Sequence, residues 1–245
     1  LSSSSAASDV YKRQRTTLAA ALLMALPLTP VMAQQANSTF DLRIRGIPAA
    51  TLSMTGQETA SGYSVAGRLQ SAGLVGLFRT MRYDAQVQGT RSGGRFTPSR
   101  YTEDADTGKR KSHSVMSYQD GTPQVVEYDP PERDRRGNVV DPASQGGTID
   151  PLTAIWIGLR PTPVAEVCNY DGFMFDGKRR SRVSLSNPRA QGDAILCTGR
   201  YERLAGFSDR EMAEKTVFNF TMTYVPAGQG VICLLYTSPI PRDRT

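Results

Sequence analysis

The chain has 245 residues with 29 Lys and Arg, 23 Asp and Glu, three Cys and one His, and a mean hydropathy of -0.37. That length suits one medium domain or two small ones. The spread of apolar residues among 22 Gly and 15 Pro excludes a polytopic membrane protein, a fibrous rod and a wholly disordered tail. The single histidine, His113, removes most histidine-dependent chemistry.

Both ends read as foreign to the fold. Residues 9–14 (DVYKRQ) and 233–238 (CLLYTS) are translations of opposite strands of one short DNA element, which resembles the transposon-end adaptor of sequencing libraries. Residues 1–14 and 233–245 are therefore expected to be adaptor-derived and to stay out of the core. The apolar run at 18–28 (LAAALLMALPL), broken by Pro27 and Pro30 and followed by small residues up to Ala33, predicts a cleavable secretory signal over residues 15–33. The run is shorter than the roughly 20 residues that cross a bilayer, and Gln34 rather than Cys follows the expected cut. The expected product is exported, keeps no stable membrane insertion, and consists of a single β-rich domain over residues 34–232, truncated at its C-terminal end.

Setting aside Lys12, Arg13, Arg15, Arg242, Arg244, Asp9 and Asp243 lowers the formal charge from +6 to about +3. Basic clusters remain at 109–111, 133–136 and 178–182, interleaved with acids, glycine or strand-like alternation. Solvated faces look the same, so no nucleic-acid partner is expected.

From Thr39 the apolar period is two. Phe40, Leu42 and Ile44, then Tyr63, Val65 and Leu69, then Met81, Tyr83, Ala85 and Val87 alternate with polar neighbours. The pattern returns at Val183 and Leu185 and at Phe218, Phe220, Met222 and Tyr224. Such alternation marks antiparallel strands with one buried face, about eight to ten of them. Turn residues at 46–48, 61–62, 92–94, 107–108, 120–121 and 176–177 separate the runs. Three short capped helices are predicted: Ser71 before AGLVGLF (72–78), Asp150 before PLTAIWIGL (151–159), and Ser208 with Glu211 before MAEK. Residues 130–147 read as a polar surface loop. A one-sided sheet with helices too few for a second layer is expected to curl around them. The predicted fold is mainly β, an incomplete antiparallel barrel with short helices on its concave side; a flat sandwich is the alternative.

Cys168 and Cys197 are the cysteines outside the adaptor-like end. An even pair behind an export signal predicts a disulfide, worth roughly 3 to 4 kcal/mol through restriction of the unfolded chain. Two buried thiols are the alternative. His113 has no partner at ligand spacing, so no metal site is expected. Nucleophile-elbow and phosphate-loop motifs are missing, and no catalytic residue or cofactor is assigned. Glu58, Asp84, Glu103 and Asp150 are carboxylates that sequence alone pairs with nothing, Asp150 being explained as a helix cap.

The succession SAGLVGLF, DPLTAIW, FDGKRRSRVSLS (175–186) and CTGRYERLAGFS (197–208) resembles the bacterial envelope family known as domain of unknown function 3108, in a proteobacterial form, over about residues 40–231. The resemblance implies a periplasmic β-rich domain similar to the half-barrels that carry lipoproteins, with the family's cysteine pair falling on Cys168 and Cys197. It implies no established reaction. Two readings follow. One is a non-catalytic carrier whose concave face holds an apolar ligand: a lipid, an acyl chain or a lipoprotein segment. The other is a structural domain whose partner is another envelope protein. For the carrier, size and inward phase nominate Tyr63, Leu74, Phe78, Met81, Trp156, Phe218 and Phe220 as the lining. An unfilled apolar cavity of roughly 300 Å³ or more is what separates the two readings.

Overall fold

The computed structural model describes residues 34–44, 47–73, 76, 81–129, 140–227 and 230–236. All lie in the unit Ala33–Thr245; the other unit, Leu1–Met32, holds the expected N-terminal adaptor and nearly all of the expected signal and lies outside the described residues.

The described residues form twelve strands in two antiparallel sheets. The first sheet is a meander of β1 (Gln34–Ile44), β2 (Ile47–Glu58), β3 (Gly62–Ser71), β4 (Arg82–Ser92), β5 (Arg95–Asp106), β6 (Lys111–Gln119) and β7 (Thr122–Asp129), each paired with the next. The second runs β8 (Tyr170–Phe175), β9 (Arg180–Gln191), β10 (Ala194–Ala205), β11 (Val217–Ala227) and β12 (Gly230–Tyr236), again in chain order. Neither sheet closes on itself, and the mainly β, open antiparallel architecture matches the sequence expectation. The strand number exceeds it, because β2 and β5 carry polar or charged residues on both faces and hide their alternation.

The turns explain the meander. Between β6 and β7 the two-residue link Asp120–Gly121 has φ of 50° and 73°. Positive φ at both central residues suits the hairpin turn whose twist matches the flanking strands, and Asp followed by Gly tolerates it best. Register then sends one set of side chains inward: Met54, Gly56 and Glu58 of β2 are buried, whereas Ser53, Thr55 and Gln57 are exposed.

Helix α1 (Pro151–Leu159) lies between β7 and β8 in the chain and packs against β3, β4, β8 and β12, so it touches both sheets. Six of its nine residues are buried. The segment before it joins the sheets: Gly147 N–H donates to Gly121 O at 2.9 Å, and Ile149 pairs in parallel with Met174 at the free side of β8. Farther along, Lys178 Nζ donates to Tyr128 Oη at 2.5 Å, tying the turn after β8 to β7.

Two sequence expectations fall at the ends of described segments. Ser71 ends β3, and its hydroxyl accepts from Met81 N–H at 3.0 Å, holding the strand ends together across the connection, while most of the helix expected after it lies outside the described residues. Gly73 and Gly76 are helical, while Leu74 and Phe78 lie outside the described residues. Residues 233–236, expected to be loose and outside the core as adaptor-derived, continue β12 and pair with Thr221 to Tyr224 of β11. An apolar Cys-Leu-Leu-Tyr run beside an open strand edge supplies the donors and acceptors that the edge lacks; residues 237–245 lie outside the described residues. Helix α2 (Asp209–Glu214) forms with the expected Ser208–Glu211 capping box but buries none of its residues, so among the described residues α1 is the helix packed against both sheets.

Candidate functional site

Asp150 starts α1. Its carboxylate accepts from Thr153 N–H at 2.9 Å and from Thr153 Oγ1 at 2.5 Å, and the Tyr63 hydroxyl completes the chain by donating to Thr153 Oγ1 at 2.8 Å. Complete burial pushes the Asp150 carboxyl up to about 6, against the opposing pull of the Thr153 hydrogen bonds. Pro151 at the first helical position needs no N–H partner.

One face of α1 is pressed into the first sheet. The Trp156 ring lies over Gly56, where a Cβ would stand 2.2 Å from Trp156 Cη2. Only glycine permits that approach. Trp156 Nε1 donates to Glu58 Oε1 at 2.7 Å, and Glu58 pairs with Arg91 at 3.2 Å and with Arg160 at 3.5 Å. Arg160 continues to Glu166 at 2.8 Å, and both arginines lie over the Phe96 ring. A buried carboxylate thus receives two cations and an indole donor, which offsets its loss of water.

The opposite face of α1 looks into a chamber of about 500 Å³. Its described walls come from both sheets and the helix: Leu52, Leu69, Tyr83 and Ala85 on one side, Met174, Val183, Tyr201, Phe220 and Met222 on the other, and Leu152, Ala154, Ile155 and Gly158 above. Nearly all of this surface is carbon, and short side chains at Ala85, Ala154 and Gly158 leave the space open. One carboxylate enters it. Glu103 projects from β5 beside Tyr101, whose hydroxyl donates to Glu103 Oε2 at 2.6 Å. Burial raises the Glu103 carboxyl above its usual range, opposed by the Tyr101 hydrogen bond.

A second cavity, of about 650 Å³, opens on the other side of Tyr170 and Leu185, which line both spaces. Its walls mix Arg160, Glu166 and Asn169 with Phe96, Ile157 and Tyr224. The Tyr170 ring lies along β8 above Gly172, where a Cβ would stand 2.4 Å from the hydroxyl. Cys168 lines this cavity and is bonded to Cys197 of β10, so the segment leaving α1 is fastened to the second sheet.

The residues nominated from sequence fall in different places. Phe220 lines the chamber. Tyr63 and Trp156 are buried on the packed side of α1. Phe218 stands at the end of the sheet, 5.9 Å from Tyr201 and covered by Arg203 and Lys215. Met81 sits at the junction of β3 and β4, and Leu74 and Phe78 lie outside the described residues. Sequence reasoning missed Glu103 and Tyr101 as neighbours, and Tyr170 as the wall between cavities. The inward phase Tyr101, Glu103, Ala105 was a usable signal, masked by Asp104 and Asp106 on the other face. Asp104 instead meets His113 Nδ1 at 2.8 Å on the exposed surface. Among the described residues, no cluster of three or more His, Cys, Asp or Glu side chains is placed to hold a metal, and no helix is long and apolar enough to cross a membrane.

Fold and site define a disulfide-tied antiparallel β domain with an apolar chamber beside α1. The sequence profile described as "Protein of unknown function (DUF3108)" matches residues 39–193, and the chain belongs to that family. Among solved structures, a β-barrel-like protein of domain of unknown function DUF1849 from Brucella abortus is 16% identical, with 84% of this chain and 95% of that chain covered and a TM-score of 0.38. Comparison with curated proteins gives no match.

Proposed function

We propose that this protein is a non-catalytic binding or carrier protein of the periplasm, which holds the apolar part of a lipid, an acyl chain or a lipoprotein segment in the chamber beside α1. The observation that carries this reading is the open space of about 500 Å³ walled almost wholly by carbon. Ligand sites commonly occupy roughly 300 to 1,000 Å³ and are lined in this way, whereas an ordinary core packs closely enough to leave few voids larger than a water molecule. The Cys168–Cys197 bond supports an oxidising compartment, in keeping with the signal-like segment.

The test is titration of the full chain with N-phenyl-1-naphthylamine, a neutral dye that brightens in apolar surroundings. Saturable enhancement is expected, and Ala85→Leu, which fills the chamber from β4, is expected to abolish it while leaving the melting temperature unchanged or higher. Absence of saturable enhancement in the unaltered chain overturns the carrier reading and favours a structural envelope domain.

A further inference from the structure

Building on the chamber reading above, we propose that Tyr101 and Glu103 form the head-group end of that site and select an amphiphile whose head donates hydrogen bonds, such as an ammonium, a hydroxyl or an amide N–H, over one that ends in a carboxylate. Glu103 is the one charged side chain among the described residues lining the chamber. It stands two residues from Tyr101 on the same strand, so both side chains share the inward face. Tyr101 is buried, and its hydroxyl donates to Oε2 at 2.6 Å, which fixes the carboxylate's orientation. An ionised carboxylate accepts up to four hydrogen bonds. Tyr101 supplies one, and Oε1 receives none from the described residues.

Glu103 is half-buried, so a donor arriving with the ligand replaces water at Oε1 and forms a charge-assisted hydrogen bond to a carboxylate that Tyr101 already orients. The surrounding charges point the same way. Asp104 and Asp176 add negative potential at Glu103, and Lys178 offsets part of it while donating to Tyr128. A carboxylate head placed there meets a like charge. An ammonium gains an ion pair and a hydroxyl gains a charge-assisted hydrogen bond.

The experiment displaces N-phenyl-1-naphthylamine from the full chain with dodecylammonium, dodecanol and dodecanoate, each below its micelle-forming concentration. The expected order places dodecylammonium and dodecanol about tenfold or more ahead of dodecanoate, the size of one hydrogen bond to a charged group. Glu103→Gln, nearly isosteric, is expected to bring dodecylammonium and dodecanoate to similar affinities. Tyr101→Phe keeps the carboxylate but frees it to turn, so the order persists with a smaller spread. Equal displacement by all three in the unaltered chain, or an unchanged order in Glu103→Gln, overturns the head-group assignment and leaves the chamber reading standing. If the dye binds but none of the three displaces it, amphiphile binding itself fails, and both readings fall together.

Discussion

The two faces of α1 are built on opposite rules. Toward β2 the helix is closely packed: Trp156 fills the space over Gly56, its N–H reaches Glu58, and two arginines close the far side. Toward the chamber the helix presents Ile155 and Gly158 to open space, although both sheets bring large side chains close by. One helix thus serves as both a packed plug and a roof. The difference teaches that the open space is not a failure of the core to close, because the same nine residues pack tightly where a glycine allows it.

Removing the plug is the hardest blow to this arrangement. Trp156→Ala is expected to cost about 3 to 5 kcal/mol by leaving a cavity and depriving buried Glu58 of its indole donor. Gly56→Ala, which drives a methyl group into the ring, is expected to cost about 1 to 3 kcal/mol. The two are expected to be strongly non-additive in chemical denaturation, since the methyl group fits once the indole is gone. Simple additivity breaks the notch-and-plug account.

The tether sharpens the comparison next. The Cys168–Cys197 bond spans 29 residues of sequence and joins the exit of α1 to β10. Its removal in Cys168→Ala/Cys197→Ala is expected to lower stability by roughly 3 kcal/mol through the unfolded chain. Because the packed face locates the helix by itself, naphthylamine binding by the remaining folded protein is expected to persist. Loss of binding in a fully folded double variant shows instead that the tether holds the roof in place.

The smallest effect comes from the cap. A carboxyl raised to about 6 in the folded chain and near its ordinary value when unfolded binds protons more tightly in the folded state. Its contribution therefore favours folding most below about pH 4 and is lost as pH rises through about 6. Asp150→Asn keeps an acceptor for Thr153 N–H, and is expected to flatten that part of the stability profile between pH 4 and 6 while changing the helix little. An unaltered profile in the variant assigns the slope to other carboxyls.

How legible all this was in the sequence depended on whether a feature is local. Asp150-Pro151 before an apolar run and Ser208 three residues from Glu211 each satisfy their own backbone, so both helix starts could be read from neighbours alone. The Asp120–Gly121 turn is of the same kind. The Cys168–Cys197 bond was readable as chemistry, from an even count behind an export-like segment. The chamber was not readable, because its volume depends on how far two sheets stand apart, and no periodicity records that distance. Tyr63 and Phe220 share an inward phase, yet one is core and the other faces open space. Residues 233–236 erred in the other direction: their foreign pattern said nothing against strand pairing, which asks only for an extended backbone and an unpaired neighbour.

Strand order in both sheets follows chain order, and this bears on how such a molecule assembles. A chain delivered N-terminal end first can add each strand of the first sheet to the one before it, with no partner still awaited from downstream. The floor beneath Trp156, from Gly56 and Glu58 to Arg91 and Phe96, is complete before α1 emerges. Cys168, by contrast, emerges 29 residues ahead of Cys197 and has to stay unpaired, or be held by a redox catalyst, until β10 arrives. The timing of oxidation, like the Ile149–Met174 bridge, is a step of assembly that waits on a distant part of the chain.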